Sequence, residues 1–252
     1  MGITLEICCG SLADVKAAAR GGADRIELNS AFYLGGLTPS LGVAQLAKQA
    51  CDLPIAAMVR PRGGGFCYTQ DEYASMLRDS EILLKADMDA IVFGFLTAEK
   101  TLDVDRTRAF VQRIHSFGKE AVFHKAFDCI ENQEEAICQL IALGVDRVLT
   151  SGGGKSAMEK ADHLHHLIKT YGKEITILLG GGIRTGNVAQ LLDLTGATQV
   201  HSSCGGYSED YTVSGNGVSY AYRQDAAPHL YESVDAQQVR SIRQVLDGYQ
   251  RK

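Results

Sequence analysis

The chain has 252 residues, 45% of them hydrophobic and 22% charged, a composition that supports a sizeable core and excludes disorder as the default state. Its formal net charge of -5 excludes a surface built to neutralise nucleic-acid phosphates or anionic lipids, which leaves small molecules and other proteins as partners. No apolar run reaches the roughly 18 residues a membrane span needs, and MGITLEICCG opens as a strand without a basic leader, so a soluble, cytoplasmic protein is expected. Seven cysteines, an odd number with no CxxC pair, are expected as reduced thiols in that compartment.

In chain order the predicted elements alternate. A strand over Ile3 to Cys8 leads into the helical LADVKAAARGG, and a strand over Arg25 to Asn29 into LGVAQLAKQA. Strands then follow at Ile55 to Arg60, Ala90 to Gly94, Glu120 to His124, Arg147 to Ser151, Ile175 to Gly180 and Thr198 to His201, with an amphipathic helical pattern after each up to the last. Several of these helices stop on glycine. Related phrases precede alternate strands: GADRIEL echoes GVDRVLT, and Phe117-Gly-Lys-Glu echoes Tyr171-Gly-Lys-Glu. Eight such units predict an α/β fold, a (β/α)8 TIM barrel occupying 1–252 as one domain, with a doubly wound open sheet as the alternative. After the eighth strand, a long loop rich in Gly, Ser and Tyr is expected at 203–233, serving as a lid or oligomer arm, and a terminal helix at 234–250.

Buried parallel strands are ordinarily apolar on both faces, and the first strands here are not. Alternation puts Thr4, Glu6 and Cys8 on one face of the first strand, and Arg25, Glu27 and Asn29 on one face of the second. The apolar face must meet the helices, so the polar face lines the lumen. Unpaired buried carboxylates are costly, which predicts that Glu6 and Glu27 pair with a cation such as Arg60 or bind something from solvent. His124 and His201, at the ends of the fifth and eighth strands, reach the same C-terminal mouth if they point inward, and catalytic groups of this fold sit there. The segment over Glu120 to Asp128 leaves the direction of His124 open, because apolar residues occupy adjacent positions. A closed ion-pair network that only fills the lumen is the structural alternative.

Glycine-rich turns follow three strands, at 60–65, 150–156 and 180–184. Backbone N–H groups in such turns approach a bound oxyanion closely, so Ser151, Gly152, Gly153, Gly181, Gly182 and Arg184 are candidates for an anion cradle. Arg60 and Arg62 flank a proline and are placed to grip a carboxylate or phosphate, or to pair with Glu27 or Asp71. His163 and His166, three residues apart on one helix, read as a solvated face in the absence of a zinc-protease motif.

The segments GGADRIELNSAFYLGGLTPS, MVRPRGGGFCY, VFHKAFD, GVDRVLTSGG and LLGGGIRTGNV, in that order and over nearly the whole chain, closely resemble the CutC family, named for copper homeostasis. The resemblance implies a (β/α)8 barrel that is cytoplasmic and oligomeric, a dimer in the first instance, with copper as its ligand. It carries over Glu6 and Cys8 in the first strand, Glu27 in the second, Arg60 and Arg62 in the RPRGG loop, and His124 and Asp128 at the fifth strand's end. Asn29 stands where many relatives have a cysteine, so a Cu(I) site with two thiolates would need Cys9 or Cys67 beside Cys8. Lys125 replaces the usual arginine, and His201-Ser-Ser-Cys204 replaces an HGSA-like ending. Two functions follow: copper binding with Cys8 as a metal ligand, or a lyase, isomerase or hydrolase acting on a small anionic, possibly phosphorylated, metabolite. In the enzyme, Glu6 or Glu27 is the general base, His124 the proton donor and Arg60 the anchor; His201 completes the mouth, and Lys125 is available for a Schiff base. A third reading is an inert scaffold.

Overall fold

In the computed structural model, which describes residues 2–221 and 227–250, the segments β1 (Thr4–Cys9), β2 (Arg25–Leu28), β3 (Ile55–Met58), β4 (Ala90–Phe93), β5 (Glu120–Phe123), β6 (Arg147–Thr150), β7 (Thr176–Leu179) and β8 (Gln199–Ser202) pair in chain order. Every pairing is parallel, and β1 closes on β8 through Glu6 opposite His201. The helices α1 (Leu12–Gly21), α2 (Leu41–Ala50), α3 (Gln70–Lys85), α4 (Val104–Ser116), α5 (Gln133–Ala142), α6 (Ala161–Tyr171) and α7 (Val188–Thr195) each return the chain to the next strand. The chain is therefore a (β/α)8 barrel, as expected. Short polar side chains start these helices by accepting the otherwise unpaired N–H groups of the first turn: Ser11, Ser40, Asp103, Asn132, and Thr69 in a reciprocal capping box with Glu72.

Strand parity divides the interior into two cores. Leu5, Ile7, Ile26, Leu28, Ile55, Ile91, Phe93, Phe123 and Val148 join the helices in one large apolar layer. Ala56, Met58, Ala90, Val92 and Val122 form a small separate cluster inside the barrel. The lumen is thus apolar along β3, β4 and β5, and polar where β1, β2, β6 and β8 face it. Several strands end earlier than expected. β3 stops at Met58 because Arg60 leaves the ladder for a loop: its N–H donates to Thr38 Oγ1 (3.0 Å) and its carbonyl accepts from Thr38 N–H (3.0 Å).

Beyond β8 the chain forms a ribbon rather than the irregular loop expected at 203–233. β9 (Gly205–Glu209) runs antiparallel to a returning strand, with a small hairpin of β10 (Ser214–Gly215) and β11 (Val218–Ser219) between them. The returning strand is β12 (Leu230–Val234), and α8 (Ala236–Asp247) follows it. Ser208 Oγ donates to Ser233 Oγ across the pair (3.0 Å). Residues 222–226 of the expected loop, and residues 1, 251 and 252 of the expected single domain, lie outside the described residues. The ribbon is tied to the barrel by Asp14, whose carboxylate accepts from Val234 N–H (2.7 Å) and Gly10 N–H (3.1 Å). α8 then packs on α1 so closely that a Cβ on Gly21 would lie 2.4 Å from Val239 Cβ. Among the described residues no helix is long and apolar enough to cross a membrane.

Candidate functional site at the barrel mouth

The polar lumen is built in two tiers. In the lower one, Glu6 accepts from Arg25 Nε (2.5 Å) and from His201 Nδ1 (2.8 Å), and Arg25 also donates to Gln199 (2.8 Å). The register explains this, because Arg25 and His201 stand directly beside Glu6 on the two neighbouring strands. Arg147, from β6, lies 3.1 Å from Glu120. Burial alone would raise the Glu6 carboxyl; the hydrogen bond from His201 and the guanidinium of Arg25 outweigh it and hold the group well below the usual carboxylate range. Glu6 is therefore a permanent anion in a closed network.

The upper tier is open. Glu27, Cys8 and His201 line a cavity of about 410 Å³ together with Asn29, Met58, His124, Lys125 and Arg184. The Cys8 thiol donates to Glu27 Oε2 (3.3 Å), and Asn29 Nδ2 donates both to Cys8 Sγ (3.1 Å) and to the same carboxylate oxygen (3.1 Å). His201 Nε2 is 4.0 Å from Glu27 Oε2. Burial pushes the Glu27 carboxyl up, and burial with the neighbouring Glu27 charge pushes the Cys8 thiol well up. Although burial pulls His201 down, the two carboxylates that flank it more than offset this, so its affinity for a proton is raised. One donor atom from each of Cys8, Glu27 and His201 lies within 4.8 Å of the others, and this is the one cluster of that kind found among the described residues. The Nδ1 hydrogen bond to Glu6 fixes the histidine so that Nε2 faces the cavity, the orientation that carboxylates impose on metal-binding histidines.

Several expected roles change. Arg60 does not pair with Glu6 or Glu27: its guanidinium donates to the carbonyls of Leu34 (2.7 Å), Gly36 (3.1 Å) and Gly64 (2.6 Å), so it ties two loops together, and Arg25 is the cation on Glu6. Arg62 is spent on Glu72 and on loop carbonyls, rather than on Glu27, Asp71 or the cavity. Asp128 is a loop builder, accepting from Thr150 Oγ1 (2.5 Å), Ser151 Oγ (2.8 Å), Ser151 N–H (3.1 Å) and Gly153 N–H (3.0 Å). Those bonds, with Gly152 N–H on Thr150 Oγ1 (2.8 Å), consume the amides at 151–153 that were expected to cradle an oxyanion. Gly181 and Gly182 turn with φ of 103° and 75°, and Gly181 lies beside Lys125, where a Cβ would stand 3.5 Å from Nζ. Cys9 faces the helices, its thiol on the Ile7 carbonyl, and Cys67 is exposed; neither joins Cys8. His163 and His166 bond Gln133 and Glu134 on the neighbouring helix. Arg25 as the partner of Glu6 was not among the pairings expected from the sequence, and His201 supplies the imidazole of the cluster around Cys8. The signal for the Arg25 pairing was present, since Arg25 shares the inward face of Glu27 two residues away.

A model of the CutC family matches residues 3–206. The family protein CutC of Treponema denticola is 44% identical over 199 residues, covering 79% of this chain and 80% of that protein. That of Chromobacterium violaceum is 38% identical over 247 residues, 96% of this chain and 98% of the other. The solved structure of CutC from Streptococcus agalactiae, a protein named for copper homeostasis, superimposes with a TM-score of 0.76 at 32% identity, over 80% of this chain and 98% of that one. The 3-hexulose-6-phosphate synthase of Salmonella typhimurium, 17% identical with a TM-score of 0.62, shares the fold alone.

Proposed function

The chain belongs to the CutC family, and on that premise we propose that the mouth of its barrel takes up copper ions, with Cys8, Glu27 and His201 as the protein donors. The observation that carries this reading is the meeting of a thiol, a carboxylate and an imidazole within 4.8 Å, on a histidine already oriented by Glu6. A soft thiolate selects Cu(I) and imidazole suits copper in either oxidation state, while Cu(II) also stands highest in affinity among the divalent first-row metals. Asn29 leaves a site of one thiolate rather than two; its Nδ2 is committed to Cys8 and Glu27, and its Oδ1 is buried without a hydrogen-bond partner. Protons compete with the metal for two of these donors: burial keeps the Cys8 thiol protonated, and the flanking carboxylates raise the affinity of His201 for a proton. Copper uptake must displace them, so the affinity of this site rises with pH, approaching tenfold per unit for each proton released.

The test is a titration of metal-stripped protein with Cu(I) under a competing chelator, run between pH 6 and 8. Wild type should bind one equivalent more tightly as the pH rises, and Cys8→Ala, Glu27→Gln and His201→Gln should each weaken binding at least tenfold. Affinity unchanged in all three variants would remove copper from this mouth. A second reading, catalysis on a small anionic metabolite, is favoured by one feature: His124, which lines the same cavity, has a buried Nε2 without a hydrogen-bond partner.

A further inference from the structure

β5 stands across the barrel from β1, and the wall it contributes to the mouth uses none of the three copper donors. His124 follows β5 directly and is only 4% exposed. Its Nδ1 accepts from Ala126 N–H (3.1 Å), which places the ring proton on Nε2, and Nε2 has no hydrogen-bond partner. The ring is held in this pose. A Cβ on Gly94 would lie 2.5 Å from Cε1 and 2.6 Å from Nδ1, and the Phe66 ring packs at 4.9 Å. Burial, helped by the Arg60 guanidinium, pushes the imidazole down to about 3, so it is a neutral N–H donor at any physiological pH. A buried donor left unpaired is costly, and a ligand oxygen would satisfy it.

Two cations share the cavity with His124. Lys125 is the next residue, half-exposed, with Nζ 3.5 Å from Asp128. Arg184, on the loop after β7, is exposed; its guanidinium donates to the Ile183 carbonyl (2.7 Å) and forms no ion pair with a carboxylate among the described residues. The carboxylates that face this space are Glu27, engaged with Cys8 and Asn29, and Glu232 on the ribbon. One wall therefore offers a fixed neutral donor at depth and two movable positive charges at the rim.

We propose that this wall binds a small organic anion, a phosphate ester or carboxylate that also carries a hydroxyl or carbonyl oxygen, with that oxygen on His124 Nε2 and the anionic group between Lys125 and Arg184. The depth separates the two functions. A neutral acceptor suits a buried N–H that carries no charge, whereas an anion is better matched by the solvated cations at the edge. A cavity of about 410 Å³ is of the size that small metabolites fill. The inference needs neither bound copper nor turnover.

The experiment uses full-length protein stripped of metal on a chelating resin and labelled with ¹⁵N-histidine. It is titrated separately with glycerol 3-phosphate, glycerate and inorganic phosphate. One of the two organic anions should saturate a single site and shift the His124 Nε2 signal, and which of them does so identifies the anionic group. Lys125→Ala and Arg184→Ala, both at the rim, should each weaken that binding about fivefold. His124→Ala should weaken it at least tenfold, and His124→Gln, which retains an N–H donor, should recover part of the loss. Cys138→Ala, at an exposed thiol outside the cavity, is the control and should bind the anion as wild type does. Saturation by neither organic anion, a His124 signal that does not move, or rim variants that bind like wild type would each overturn the proposal.

Discussion

Glu6 and Glu27 are the same residue type on the same face of adjacent strands, and their neighbours drive them apart. Glu6 receives a guanidinium and an imidazole at hydrogen-bond distance and stays ionised, whereas Glu27 receives a thiol and an amide and is pushed up by burial. His124 shows the same force on a base. Its folded form takes a proton only near 3, against 6.5 for the free side chain, so between those values the unfolded chain holds the additional proton and stability falls as the pH falls. The slope from this group approaches about 1.4 kcal/mol per pH unit. Urea unfolding of wild type and His124→Gln should therefore diverge between pH 6 and 4, the wild type losing roughly 1 kcal/mol more per unit; parallel curves would mean the imidazole is not held neutral. Cys8, Glu6 and Glu27 were legible as lumen residues, because period two leaves them no other place. His124 was not, since Ala121, Val122 and Phe123 are all apolar: Phe123 meets the helices and Val122 the apolar half of the lumen.

At the scale of elements, the site depends on how strands hand over to loops. β4 ends beside Gly94, which is required there not for its backbone freedom but because His124 occupies the space of a side chain. Gly94→Ala should cost about 1–3 kcal/mol through overpacking and displace the imidazole. Thermal unfolding reads the cost, and a shifted His124 ring signal reads the displacement; a neutral substitution would show that the ring is free to move. The fate of Arg60 could not be read in advance, because its partners are backbone carbonyls from two separate loops, and sequence patterns do not encode where carbonyls point. Asp128 is a similar case: its hydrogen bonds to the end of β6 and the turn that follows depend on a register between β5 and β6 that only the closed barrel sets.

For the whole molecule, alternation of strand and helix patterns revealed eight units and their closure, but the antiparallel ribbon was hidden by its Gly and Ser content, which reads as loop. Asp14 joins these two parts. Asp14→Ala leaves the buried Val234 N–H without an acceptor and should cost about 1–3 kcal/mol. Hydrogen exchange should quicken at Val234 and Gly10 while amides of β3 to β6 keep their protection; uniform acceleration would instead mark the aspartate as part of the global core.

The ribbon also forms part of the cavity. Tyr207, Glu232 and Ser233 lie along one side of it, whereas the match to the family model ends at residue 206. Floor and side wall are thus supplied by different parts of the fold: substitutions in the ribbon can retune which guests gain admission while the polar tier beneath keeps its own contacts.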